Sequence, residues 1–121
     1  MRCSLLAVTF IFLVCRACVA ADLEQAHRNA MATLDKFQDC LSDEYVKVTH
    51  AKKMTEQEFV VYIGGACIPA REDYRARMGE FLAAQFPMMK QSLHIDSANE
   101  SVKQIQADIV RAYVRGELHR E

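Results

Sequence analysis

Beyond residue 20 the chain has no C-x-x-C, and nowhere does it have a Gly-rich phosphate loop, a G-x-S-x-G or a C-x-x-C-H. The first absence removes the dithiol oxidoreductases, whose two thiols sit one helical turn apart. The others remove phosphate-cradling nucleotide sites, serine hydrolases of the nucleophile-elbow kind and covalent haem. There is no surplus of positive charge, with 15 basic against 16 acidic side chains. A basic stripe is the usual footprint of a nucleic-acid module, so that class of partner is not expected. No apolar run reaches the roughly 20 residues that a membrane-spanning helix needs. Repeats, low-complexity stretches and internal linkers are absent too, and glycine and proline number only four and two.

What is present begins with an address. The chain opens MRCSLLAVTFIFLVCRACVAADLEQ, with Arg2 ahead of an apolar core from Leu5 to Cys15 and small residues at Cys18-Val19-Ala20. A positive start, a short apolar core and an A-x-A-like exit make a secretory signal peptide. Arg16 interrupts the apolar run, which argues against an uncleaved anchor. Residues 1–20 are read as the signal and 21–121 as one helical domain, with cleavage after Ala20 or Ala21. A product of that size supports a single modest core. Dropping Arg2 and Arg16 leaves thirteen basic residues against sixteen acidic, a slightly anionic surface. Three of the five cysteines leave with the signal, so Cys40 and Cys67 remain as a pair in a chain bound for an oxidising compartment.

From Asp22 to His50 no Pro or Gly intervenes, and Leu23, Ala26, Ala30, Leu34, Phe37, Leu41, Tyr45 and Val48 recur at three- and four-residue steps. That is one face of an amphipathic helix. Thr55-Glu56-Gln57-Glu58 is a capping box, in which two side chains satisfy amide donors left open at a helix start. The face that follows, Phe59, Ile63, Cys67, Ala70, Tyr74, Met78 and Phe81, keeps its phase straight through Pro69. A competing reading takes Phe59 to Ile63 as a strand turned by Gly64-Gly65, since those residues are strand formers. The cap and the sustained period favour one helix, kinked where the Pro69 ring meets the carbonyl of Gly65. Phe86-Pro87 ends it. Ser97-Ala98-Asn99-Glu100 repeats the capping pattern and opens a third helix carrying Val102, Ile105 and Ile109, while residues 88–95 are left unassigned. Val110, Tyr113 and Val114 widen its apolar arc.

If the first two helices form an antiparallel hairpin about Lys52-Lys53, Val48 faces Phe59, Tyr45 faces Tyr62, Leu41 faces Ala66 and Phe37 faces Ala70. Cys40 and Cys67 then lie on a common level that the apolar pattern selects without reference to them. A structural disulfide is expected. A nucleophilic Cys67 would need a positioned base, and no histidine lies within a helical turn of it along the chain. The expected fold class is all-α, with three main helices after the signal peptide and the first two stapled together.

Other constellations carry less. Glu24 and His27 have the E-x-x-H spacing of carboxylate-bridged metal bundles, but no second such pair exists. Asp35, Asp39 and Asp43 form an acidic line opposite Arg71 and Arg75, a place for surface ion pairs. Met88-Met89 with His94 could serve a soft metal, though such methionines more often fill gaps in a core. No cofactor is expected. Phe59, Val60 and Val61, with Val110, Tyr113 and Val114, are the candidates for a surface that meets a second copy or another protein.

The helix with one cysteine, a second cysteine about 25 residues on, the Tyr74-Arg75 segment and the helix opening at Ser97 resemble a diffuse group of small exported helical proteins common in alphaproteobacteria. The resemblance implies a periplasmic or secreted helical disulfide protein and carries no activity with it. The expected function is therefore a non-catalytic structural or protein-binding role. The alternatives are a periplasmic acid-stress chaperone, which exposes apolar surface at low pH, and a metal-binding protein.

Overall fold

Three- and four-residue apolar spacing over nearly thirty residues needs a long helix to bury it. The structure, a computed structural model, describes residues 4–51 and 53–116, with side chains from Cys18 onward. Helix α1 (Ser4–Ala51) does not begin at Asp22 but runs unbroken through Ala20 and Ala21. The charged and apolar side chains on which the signal-peptide reading rests lie outside the described ones, as does Lys52 of the expected turn. Residues 18–22 are exposed, and packing begins at Leu23. Beyond it Ala30, Phe37, Leu41, Tyr45 and Val48 are buried, the face that the spacing selects. Thr33 is buried among them, and its hydroxyl donates to the carbonyls of Asn29 and Ala30. A buried hydroxyl left unpaired would be costly, and this one is not.

The capping box forms as written. Glu58 N–H donates to Thr55 Oγ1 at 3.2 Å, and Thr55 N–H donates to Glu58 Oε2 at 2.8 Å. Helix α2 (Glu56–Gly65) then ends, and α3 (Ile68–Gln85) starts afresh. The expected single helix kinked near Pro69 is thus two helices, and the chain has four in all among the described residues, with no strand. The reason lies in where Pro69 falls. It occupies the first turn of α3, where a missing N–H breaks no bond and a fixed φ suits the helix. Gly64 and Gly65, poor helix formers, sit at the end of α2 and not in its interior. Between the helices Cys67 takes φ 58° and ψ 34°, the left-handed region.

Helix α4 (Gln91–Arg115) opens six residues before Ser97, so that capping pattern lies inside a helix and caps nothing. Its buried face is His94, Ala98, Val102 and Ile105. His94 stands four residues ahead of Ala98 and extends the apolar period toward the N-terminus. Gly116 closes α4 with φ 67°, the left-handed cap for which glycine is suited.

The order of contacts gives the topology. Cys40 meets Cys67, Phe37 stacks on Tyr74, and His27 lies against Phe81, so α1 and α3 run antiparallel. Tyr74 bonds Ser101 at 2.7 Å while Gln106 reaches the Ile63 carbonyl, so α4 runs antiparallel to both α3 and α2. One core results: Phe37, Leu41, Tyr45 and Val48 of α1, Phe59 and Ile63 of α2, Tyr74 of α3, Val102 and Ile105 of α4. Each fully buried large apolar side chain contributes about 1.5–3 kcal/mol of transfer free energy. Of the described helices, none is long and apolar enough to cross a membrane.

Candidate functional site

A left-handed residue, a covalent bond and an exposed apolar helix meet at one place, the junction of α2 with α3. Cys40 and Cys67 are joined in a disulfide with their Cα atoms 6.1 Å apart. Closing a loop of this length stabilises a chain by about 3.5 kcal/mol in the chain-entropy estimate. Both cysteines are half-buried. Cys67 is the N-cap of α3 but gives no side-chain cap hydrogen bond, since its sulfur is committed to Cys40.

Polar groups hold the carbonyl end of α2, which a helix leaves open. Arg71 donates to the Gly64 carbonyl at 2.7 Å, and the Ala66 N–H donates to Ile63. Toward α1, the Tyr62 hydroxyl donates to Glu44, which also pairs with Lys47 at 2.6 Å. The hydrogen bond from Lys47, then that from Tyr62, holds the Glu44 carboxyl below the usual carboxylate range. The same contact with Glu44 raises the Tyr62 hydroxyl and the Lys47 ammonium. Toward α4, the Phe59 ring stacks on Tyr113 at 3.9 Å, and Tyr45 meets Tyr113 edge-on at 5.9 Å. The Tyr113 hydroxyl donates to the Met54 carbonyl at 2.6 Å and accepts from its N–H at 2.9 Å. Tyr113 therefore clamps the segment that leads into α2.

The candidate surface residues divide. Phe59 is fully buried, and Val110 and Tyr113 pack half-buried against the core. Val60, Val61 and Val114 are exposed, Val61 to 77%. Around α2 lie three open hollows. One, of about 390 Å³, sits between α2 and α4 and is lined by Val60, Ile63, Val110, Lys103 and Arg111. The second, about 520 Å³, includes Met54, Val61 and Tyr62, and the third, about 360 Å³, includes Glu56, Tyr113 and Val114. Gly64 and Gly65 have open space where a Cβ would stand, and neither takes a positive φ. The left-handed position belongs to the cysteine. The glycines were expected to ease a kink opposite Pro69, and they stand instead at the end of α2.

The weaker constellations resolve locally. Glu24 pairs with Arg28, and His27 lies against Phe81 at 5.1 Å. Arg71 and Arg75 pair with Glu72 on their own helix, not with the aspartate line of α1. Met88 is 97% exposed, whereas the Nε2–H of buried His94 donates to the Phe86 carbonyl at 3.0 Å. That bond ties the start of α4 to the Pro87 turn. Among the described residues no three His, Cys, Asp or Glu side chains gather where a metal ion could be held. No family model matches the chain, and no curated protein or solved structure matches it either.

Proposed function

We propose that the protein is exported and serves as a non-catalytic scaffold that presents α2 to a protein partner. The carrying observation is the valine ridge. Val60 and Val61 stand exposed on a ten-residue helix flanked by open hollows, and that helix is fixed at one end by a disulfide and at the other by a capping box. An isolated helix of this length is marginal in water. Pinning it in advance removes an ordering cost that a partner would otherwise meet. Export is supported by the leader sequence and fits the paired cysteines, which persist as a disulfide in an oxidising compartment.

Site-specific photo-crosslinking tests this reading. A photoreactive residue at Val61 gives a discrete adduct, with a second copy or with another protein, and the same group at Asp35 on the opposite helix gives none. Equal labelling at the two positions removes the proposal. The acid-stress chaperone is the second reading, and the Glu44–Tyr62 contact favours it, because protonating Glu44 at low pH loosens α2 from α1. Dye binding and client protection that rise together as pH falls support it, and a flat response from pH 7 to 2 removes it.

A further inference from the structure

We infer that the Cys40–Cys67 bond is a latch: closed, it keeps α2 and α3 as separate helices, and opened by a dithiol reductant it lets them join into one. Cys67 stands apart in its backbone. Among the described residues it is the only one other than glycine with a positive φ. An L-residue is disfavoured there because its Cβ crowds the following carbonyl oxygen. No cap hydrogen bond from its side chain compensates, and two neighbouring glycines that would accept such a φ do not take it. Gly64, Gly65 and Pro69 favour a break between the helices, but they do not choose a left-handed residue 67. What holds Cys67 is its sulfur, fixed to α1.

The second observation is phase. Phe59 and Ile63 on α2, and Ala70, Tyr74 and Met78 on α3, all pack in or against one core. Their spacing, with Cys67 between them, is that of one uninterrupted helical face. A joined helix would present the same side chains to α1 that the broken pair presents. The α1 side of the core does not forbid the change, while the Phe59–Tyr113 stack against α4 has to shift with it. Pro69 in a joined helix would crowd the Gly65 carbonyl and give a kink, and the open space about Gly64 and Gly65 leaves room for it. The Gly64 carbonyl, now capped by Arg71, would instead accept from the Ile68 N–H.

The chemistry balances as thiol–disulfide exchange. One thiolate of the dithiol attacks a sulfur of the half-buried pair and displaces the other cysteine as a thiolate. The second thiol of the reagent then attacks the reagent sulfur of this mixed disulfide, breaking its bond to the protein and releasing the remaining cysteine as a thiolate. Two electrons pass to Cys40 and Cys67, which take up protons as free thiols, and the dithiol leaves as its own disulfide. Joining moves α2 relative to α4, and with it Val60 and Val61. The latch stands whether or not that ridge binds a partner.

NMR of the full chain, oxidised and then reduced by a dithiol, tests it. The expected result is that the Cys67 Cα shift moves to its right-handed helical value and the Ile68 amide gains exchange protection. A residue 67 that stays left-handed after reduction overturns the latch, as does loss of helical shifts over 59–63. A variant pair isolates the cause. With Cys40→Ser in both, Cys67→Ala joins the helices, while Cys67→Gly, at ease at positive φ, favours the break by about tenfold in the ratio of joined to broken chains. Equal ratios in the two variants contradict the proposal.

Discussion

The α1–α3 seam and the short helix α2 solve the same problem with different means. Along the seam, eighteen residues of α3 lie antiparallel to α1, and Phe37 against Tyr74, with Leu34 and Met78 packed nearby, closes it with apolar contact. Helix α2 has ten residues and buries only Phe59 and Ile63. Its place is set by a capping box, a disulfide at its exit, the Tyr62–Glu44 bond and the Tyr113 clamp. The lesson is that burial holds the long seam, while covalent and hydrogen-bonded ties hold the short helix. The short helix, held largely by those ties, is therefore the region whose position is expected to respond to redox state and pH.

That contrast can be broken most forcefully at the seam. Phe37→Ala removes a fully buried ring and leaves a cavity, and is expected to cost about 3–5 kcal/mol, read from denaturant midpoints. A cost no larger than that of a change in α2 would erase the distinction. Tyr113→Phe comes next. It leaves the ring stack but strips both hydrogen bonds from Met54, with an expected loss of about 1–3 kcal/mol and faster amide exchange confined to the start of α2. Thr55→Ala removes the cap and costs about 1 kcal/mol, again with exchange rising over α2 and not over α3.

The smallest effect concerns pH. The folded-state pKa of Glu44 is depressed, so its contribution is present above its ordinary value of 4.5 and is lost as pH falls through the folded value. Tyr62→Phe removes one of the two hydrogen bonds that depress it. Stability at neutral pH should fall by about 0.5–1 kcal/mol, and the difference from the parent should shrink as Glu44 protonates in acid. Parallel acid profiles for variant and parent would show that this contact carries no pH dependence.

Much of the frame was legible in the residues. The buried face of α1, the Thr55 cap, the end of α3 before Pro87 and the pairing of Cys40 with Cys67 each follow from a rule of spacing or capping. The break at 66–67 was not legible, because periodicity measures which side of a helix is buried and stays blind to a discontinuity that keeps the phase. A positional signal did exist, since glycines at a helix end and a proline just inside the next start are the usual asymmetry. Ser97 misled for a related reason. A serine three residues before a glutamate marks a cap only where the chain enters a helix, and here His94 carries the apolar face back by another turn. The candidate surface was half legible. Composition shows that Phe59 and Val61 are both apolar, but only the fold decides that one stacks beneath Tyr113 while the other faces outward.

Non-reducing peptide mapping of the protein recovered after expression of the whole chain from Met1 tests the whole account most directly. The expected result is a mature chain beginning after Ala20 or Ala21, with the fragments carrying Cys40 and Cys67 recovered as one crosslinked species that separates on reduction. Both cysteines alkylated without prior reduction, on a chain that still carries its first twenty residues, would contradict it.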